Sequence, residues 1–437
     1  MSKTPITFKK TGIEWLPEVP GHWEVRRIKT FYQEIDERSS SGNEELLSVS
    51  HYTGVTPRRD SLEKEDDLLT NAATLEGYKK VAKGDLVINI MLAWNGSLGT
   101  SSFDGITSPA YCVYRCFEKF NPEYFGYLFT TNLFKTQFRR NSTGIIESRL
   151  RLYSDRFFSL FSLVPPKKEQ DQIVQFIQNK TAQIQHFLSK KAQFIALLKE
   201  QRQSIINEAV TRGIDPGARM KDSGIEWLGK VPEGWEVRRL KNFAEIKGRI
   251  GFRGYTTEDL VDEGNGAFAL GATHIKNGVV DLSSPVFISW DKYYESPEIM
   301  VKKDDILIVQ RGSVGVIGFV QNDFGEMTIN PSLVLIKNVR INREFLFYFL
   351  NSFVIQDEIK STVTQTAVPM ISQFQIGNFT VCNPPLPEQA QIITHIKSAT
   401  ATIDAAIEKA GREMDLMKEY KEALVAEAVT GRLKIKE

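Results

Sequence analysis

Two kinds of hydrophobic pattern alternate along the chain. Short apolar runs of the strand type, among them Leu86-Val87-Ile88, Tyr111-Cys112-Val113-Tyr114, Ile306-Leu307-Ile308-Val309 and Ser332-Leu333-Val334-Leu335-Ile336, are punctuated by Gly, Pro, Asn and Asp. Aromatic segments at 123–138 and 344–359 take helical spacing instead. A longer pattern begins after each Pro-Pro pair, which cannot sit inside a helix. There Ile392, Ile396, Ala399, Ile403, Ala406, Ala410, Met414, Met417, Leu424 and Ala428 recur at heptad positions. In the earlier stretch Ile173, Ile177, Ile184, Phe187, Ile195, Leu198, Ile205 and Ala209 hold the same register, while Lys180, Lys191, Arg202 and, in the later stretch, Lys421 intrude on the seam. Sustained heptads predict a coiled coil. About 40 residues at 1.5 Å each make a rod near 60 Å, longer than one small domain covers.

The patterns occur twice because the chain is written twice. Residues 12–29, GIEWLPEVPGHWEVRRIK, return at 224–241 as GIEWLGKVPEGWEVRRLK, and PPKKEQ at 165–170 returns as PPLPEQ at 384–389. Fainter echoes lie between, KGDLVINI at 83–90 against KDDILIVQ at 303–310, and NPEYFGYLF at 121–129 against NREFLFYFL at 342–350. A unit this long is a duplicated domain and helix, far beyond the roughly 20–50 residues of a solenoid repeat. The ends of the units agree and the middles differ, which argues for a shared scaffold with two different targets. The predicted fold is α+β, with two globular domains separated by a long antiparallel two-helix coiled coil and an internal pseudo-twofold repeat. The divisions are a first domain at 1–165, a first long spacer helix at 166–213, a second domain at 214–384 and a second helix at 385–437. Equivalence of the units further predicts that Glu437 lies close to the N-terminal segment.

With 437 residues the chain is long enough for several domains, each with its own core. Three cysteines cannot supply a disulfide framework, the N-terminus has no secretory apolar region, and no stretch reaches the length of a membrane span. A cytoplasmic protein without a membrane partner is expected. Lys+Arg 55 against Asp+Glu 54 gives a net charge of only +1, whereas a nucleic-acid binder usually shows excess basic residues. Any such role therefore needs its basic residues concentrated locally.

The duplicated layout, the GIEWL opening with its WEVRR continuation, the KDDILIVQRGSVG segment and the PPLPEQ start of a long helix together resemble the specificity subunit of type I restriction-modification systems. That resemblance implies a non-catalytic DNA-recognition subunit that reads a bipartite, asymmetric target in double-stranded DNA, one target-recognition domain per half-site. It also implies docking of two modification (methyltransferase) subunits on the helices, and restriction (endonuclease/translocase) subunits that complete the nuclease. No cofactor is expected in this chain; S-adenosylmethionine, ATP and Mg are implied for the partner subunits. The competing readings are a coiled-coil scaffold that binds no DNA and a stand-alone DNA methyltransferase.

The residues offer little chemistry to an enzyme. Asn383-Pro384-Pro385 has Leu386 where a methyltransferase loop places an aromatic, and Val164 stands for the Asn in the other copy. Gly266–Gly271 runs into Ala272-Thr273 without the P-loop lysine. The glycines at 312–318 do not follow the dinucleotide spacing, and hairpin turns common to both units explain them. Glu-x-Lys occurs at Glu245/Lys247 and Glu358/Lys360 as solvated charges. Cys112 and Cys116 on one strand would stand about 13 Å apart, too far to share a metal, and read as buried structural thiols. The five histidines show no ligand spacing, so neither a catalytic nor a metal residue is assigned.

Phosphate contacts need Lys, Arg or backbone amides, and base reading needs polar side chains at a groove. In the second domain the basic loop with Lys247, Arg249, Arg253 and Tyr255 is the leading candidate, followed by Gln310, Arg311 and Ser313 at a strand end and by Gln365. In the first domain the counterparts are Arg58 and Arg59, Asn95 and Ser97, and Arg139, Arg140 and Thr143. Arg26-Arg27 and Arg238-Arg239 occur in both copies, which favours a scaffold role.

Overall fold

The computed structural model describes residues 7–57, 74–146, 149–363 and 368–435. The chain forms two compact units, one of residues 1–192 with 412–437 and one of residues 193–411. The divisions fall inside the two long helices, Lys167–Arg212 and Leu386–Val429, so each unit holds part of both.

In the first unit the short apolar runs become an antiparallel sheet in the order Tyr32–Ile35, Cys112–Cys116, Leu86–Ile88, Leu98–Thr100. A hairpin of Leu47–Ser50 and Gly54–Pro57 lies beside it, the Gly54 backbone tight against Gly99. Helices Pro122–Phe129 and Asn132–Asn141 bury Phe125, Phe129, Phe134 and Phe138 together with Phe157. Asn121 caps the first of them by accepting from the Glu123 amide at 2.9 Å, and Pro122 occupies the first turn, where a missing N–H costs nothing.

The second unit repeats this core. Glu245–Gly248, Leu333–Lys337, Ile306–Val309 and Ile317–Phe319 stand in the same order, extended by Val279–Val280 and Ile275–Lys276 into six strands. Helices Arg343–Leu350 and Phe353–Thr362 follow, with Asn342 as the cap. Where the sequences diverge, the second unit adds a five-stranded sheet of Leu260–Val261, Phe287–Ser289, Gly266–Leu270, Met327–Ile329 and Met300–Val301. The P-loop decoy is the buried strand Gly266–Leu270.

The repeated motifs are the joints between each domain and the long helices. The two WEVRR segments are strands, Glu24–Arg27 paired with Phe161–Val164 and Glu236–Arg239 paired with Thr380–Asn383. Trp23 Nε1 donates to Glu169 Oε2 at 2.8 Å, and Trp235 Nε1 to Glu388 Oε1 at 3.0 Å. The next residue of the motif is a fully buried glutamine. Gln170 Oε1 accepts from the Asn121 amide at 2.7 Å while its Nε2 donates to Pro165 O at 2.7 Å. Gln389 does the same with the Asn342 amide at 2.8 Å and Pro384 O at 2.7 Å. The Pro-Pro pairs therefore open helices and build no base-flipping loop.

Within each unit the helices run antiparallel. In the first, Lys191 Nζ meets Glu413 Oε2 at 2.5 Å, and Gly431, just past the second helix, packs on Trp23 and Pro20 beside the start of the first. In the second, Arg202 Nε meets Asp404 Oδ1 at 2.7 Å, and Gly213 packs on Trp235 and Glu388. Heptad residues Ile173, Ile177, Ile184, Ile392, Ile396, Ile403, Ala410, Leu424 and Ala428 are buried. The cations at seam positions 191 and 202 are thus satisfied by carboxylates of the opposite helix. Glu437 lies outside the described residues; Leu433 and Ile435 pack against the core that contains Leu16, as do Ile13 and Trp15. Among the described residues no helix is long and apolar enough to cross a membrane.

Candidate nucleic-acid interface

The first unit brings two of its predicted segments together. The turn after strand Leu86–Ile88 carries Trp94 and Asn95, and it rests on helix Asn132–Asn141. The Arg139 guanidinium lies 5.8 Å from the centre of the Trp94 ring, and Trp94 Nε1 is held by Met91 O at 3.1 Å. Gly96 is left-handed, φ 90°, and Lys135 crosses so close to it that a Cβ there would lie 2.6 Å from Lys135 Cε. Arg139 and Arg140 are exposed at the end of the helix, where cations also suit the helix dipole. Thr143 follows, exposed and fixed by paired backbone hydrogen bonds with Arg151 at 2.8 and 2.9 Å. Asn95, Arg139, Arg140 and Thr143 thus share one end of the unit. Ser97 does not join them: it is 1% exposed, its amide bound to Leu92 O and its carbonyl to the Asn89 amide, which close the turn on itself. Arg58 and Arg59 lie outside the described residues.

The second unit has the same plan with different residues. Arg311 and Ser313 are exposed in the turn after strand Ile306–Val309, and this turn packs on helix Phe353–Thr362, where Gln356 Nε2 donates to Gly315 O at 3.1 Å. Arg311 pairs with Met370 across an antiparallel bridge, and its Nη2 lies 3.6 Å from the Met370 sulfur. Gln365 lies outside the described residues. The loop Asn330-Pro331-Ser332, which sequence reading passed over, ties the candidates into one group. Gln310 donates from its amide to Ser332 O at 2.8 Å and from Nε2 to Pro331 O at 2.9 Å. On the other side Arg249 Nε donates to Ile329 O at 2.9 Å and Nη2 to Thr328 Oγ1 at 3.0 Å. The signal available in the sequence was a Pro turn in the same place before the equivalent strand, Ser108-Pro109 in one copy and Asn330-Pro331 in the other.

Arg249 is itself a correction. It is 5% exposed, and burial drives its pKa down, so its guanidinium is spent on backbone carbonyls, including Arg253 O at 3.2 Å, and on the face of Tyr255 at 5.5 Å. It holds the 250–255 loop in place and is not free for a base edge. Burial likewise raises the Tyr255 hydroxyl. Arg253 is half-buried and donates to Glu295 O at 3.2 Å; Lys247 pairs with Glu245 at 3.4 Å. The basic loop therefore presents less free charge than its composition promised.

The decoys find structural roles. Glu358, read as solvated, has a largely buried side chain, 13% exposed; burial raises its pKa, and it accepts from the Thr380 amide at 3.2 Å. Cys112 and Cys116 are half-buried, not fully buried, and both are free thiols. Burial pushes the Cys116 thiol up to about 12, which removes it from nucleophilic work. The repeated arginines serve the scaffold: Arg27 covers the Phe161 ring, and Arg239 Nη1 donates to Asn378 O at 2.8 Å.

Two repeated domains, each joined to the same pair of helices and each presenting its own loop set, define a duplicated specificity module. Residues 232–411 match the family model of the type I restriction modification DNA specificity domain. The chain is thus similar to the specificity subunits of type I restriction-modification systems. It is 24% identical over 436 residues to the type I restriction enzyme MjaVIII specificity subunit of Methanocaldococcus jannaschii, covering 96% of this chain and 94% of that one. Against the EcoBI specificity subunit of Escherichia coli the identity is 22%, covering 86% and 79%. A solved chain from a type I restriction-modification system shares the fold, with a TM-score of 0.66 at 18% identity over 95% of this chain and 99% of that chain.

Proposed function

We propose that this chain is the sequence-reading subunit of a type I restriction-modification complex, with no catalysis of its own. Each domain reads one half of a bipartite, asymmetric site in double-stranded DNA. The long helices dock two modification subunits, which use S-adenosylmethionine, and restriction subunits using ATP and Mg join to complete the nuclease. The observation that carries this reading is the contrast inside the repeat. The bonds from Trp23 to Glu169 and between Gln170 and Asn121 recur from Trp235 to Glu388 and between Gln389 and Asn342, whereas the middles of the two units differ in sequence. A common scaffold with unlike loops is what two unlike half-sites require.

Arg139, Arg140, Thr143 and Asn95 in the first unit, and Arg311, Ser313, Gln310, Lys247 and Arg253 in the second, are the proposed DNA-facing set, with Arg58, Arg59 and Gln365 retained from sequence. Exchanging residues 30–160 for those of a relative of different specificity, and mapping the modified sites of the assembled complex, tests the assignment. One half-site should change and the other persist; a complex whose two half-sites change together, or not at all, refutes the one-domain-per-half reading. The scaffold alternative is tested separately by the salt dependence of duplex binding, which would be flat at low salt for a protein that makes no phosphate contacts.

A further inference from the structure

Sequence recognition by two separate half-site readers requires more than correct loops, because each reader must also be held at a fixed angle to its helix. We infer that Gln170 and Gln389 are positioning residues that set this angle, and through it the spacer length the protein accepts. The inference rests on the proposed function above and names a part of the chain outside the proposed DNA-facing set.

The geometry makes each glutamine a two-sided clamp. Its amide oxygen takes the backbone N–H of the residue that caps the first domain helix, Asn121 or Asn342, and its amide nitrogen donates to the prolyl carbonyl at the start of the long helix. Both glutamines are fully buried, so these bonds are not exchanged for water. Each is backed by a second link between domain and helix. Asn121 Nδ2 donates to Asp171 Oδ1 at 2.6 Å in the first unit, and Lys397 Nζ meets Glu344 Oε1 at 2.7 Å in the second. Glutamine suits the position because one planar amide supplies an acceptor and a donor facing opposite ways. The clamps lie far along the chain from the loops, Gln389 following the last described loop candidate of its unit by the whole of helix Gln373–Gly377 and strand Thr380–Asn383.

One base pair of spacer moves a half-site by about 3.4 Å and turns it by about 34°. A domain locked at both faces of an amide resists such a turn, and one released from the amide, held by its packing against the helix alone, should resist it less. The test uses the full chain assembled with its modification subunits and a set of duplexes carrying the wild-type half-sites with spacers of the native length, one base pair shorter and one longer. Wild type should modify the native spacer with at least tenfold preference. Gln389→Met, which keeps the volume and removes the hydrogen bonds to the Asn342 amide, Pro384 O and Asn383 Oδ1, should reduce that preference severalfold while the bases required in each half-site stay the same. Gln389→Glu, which keeps the acceptor for the Asn342 amide, should restore part of it and serves in place of the methionine variant if that chain does not fold.

An unchanged spacer profile in a folded Gln389→Met complex overturns the inference. So does relaxed base identity in the second half-site, which would make the glutamine part of the reading domain's own structure. If the wild-type complex modifies no bipartite duplex at any spacer, the proposed function itself falls, an outcome that is read before any variant is compared.

Discussion

The joints make a graded prediction at four left-handed glycines. Gly12 and Gly224 are repeat equivalents with φ 75° and 71°, and an added Cβ at either meets nothing within 4 Å. Alanine there carries only the left-handed penalty of about 1–2 kcal/mol, offset by about 0.4–1 kcal/mol from the stiffer unfolded chain, for a net cost below about 1.5 kcal/mol. Gly213, φ 79°, adds a close approach, since its Cβ would sit 3.3 Å from Trp235 Cζ2 and 3.4 Å from Glu388 Oε1. Gly431, φ 74°, is worse: its Cβ would lie 2.6 Å from Pro20 Cδ, 2.9 Å from Cγ and 3.0 Å from Trp23 Cη2. Ordinary carbon contacts are about 3.5–4.0 Å, so this atom intrudes by about 1 Å on a rigid ring. Overpacking of that kind adds about 1–3 kcal/mol, which brings Gly431→Ala to about 2–4 kcal/mol in total. Urea unfolding followed by tryptophan fluorescence measures it, because Trp23 and Trp235 are the buried indoles of the two joints. The order of cost should be Gly12 and Gly224 first, then Gly213, then Gly431. A Gly431→Ala chain no less stable than Gly12→Ala would show that the second helix does not end against Trp23, and the joint would have to be abandoned.

Other outcomes follow from the same geometry. Arg249→Met should cost about 3 kcal/mol or more, because it leaves the buried acceptors Ile329 O and Thr328 Oγ1 without their charged donor, and it should raise hydrogen exchange in residues 250–255; an unaltered loop would return Arg249 to the DNA-facing set. Arg140→Ala should weaken duplex binding uniformly across sequences and lower the salt slope by about one, and a slope equal to wild type removes Arg140 from the interface. Burial works to raise the Asp171 carboxyl, but hydrogen bonds from Lys167 and Asn121 prevail and hold it below its ordinary 3.8. A depressed folded pKa stabilises above the unfolded value and is lost as pH falls through the folded one. Protection of the first joint should therefore decline below about pH 4 in wild type and show a weaker acid dependence in Asp171→Asn; equal slopes would place the acid sensitivity elsewhere.

What was legible in the sequence was whatever depends on period or on copying. Heptads fix a seam through local spacing alone, so Ile173, Ile177, Ile184, Ile392, Ile396 and Ile403, all buried, could be named from the chain, whereas the buried Ile206 and Ile393 could not. The duplication exposed the scaffold because two copies of one joint must keep the same tryptophan, glutamate and glutamine even as their surroundings drift. The interface was less legible, for a physical reason that Arg249 and Asn330 illustrate from opposite sides. A basic residue in a glycine-rich loop has one composition whether its guanidinium faces solvent or turns inward to carbonyls some 80 residues away, and only the second neighbour decides. Asn330 drew no reading from the sequence, yet its loop joins strands from both sheets of the second unit and holds Gln310.

The same reasoning resolves the near-neutral net charge. Several arginines and lysines are committed internally: Arg115 to the buried Asp85 at 2.8 Å, Arg202 and Lys191 to the opposite helix, Arg239 to backbone, and Arg249, a sequence candidate for DNA contact, to the strand beneath its loop. A total that averages committed and presented charge says nothing about either. The exposed Arg139 and Arg140 lie in the last turn of helix Asn132–Asn141, and the exposed Arg311 in the turn after strand Ile306–Val309. A surface of that kind, weakly charged in sum and concentrated at loop ends, suits a reader whose specificity comes from placement.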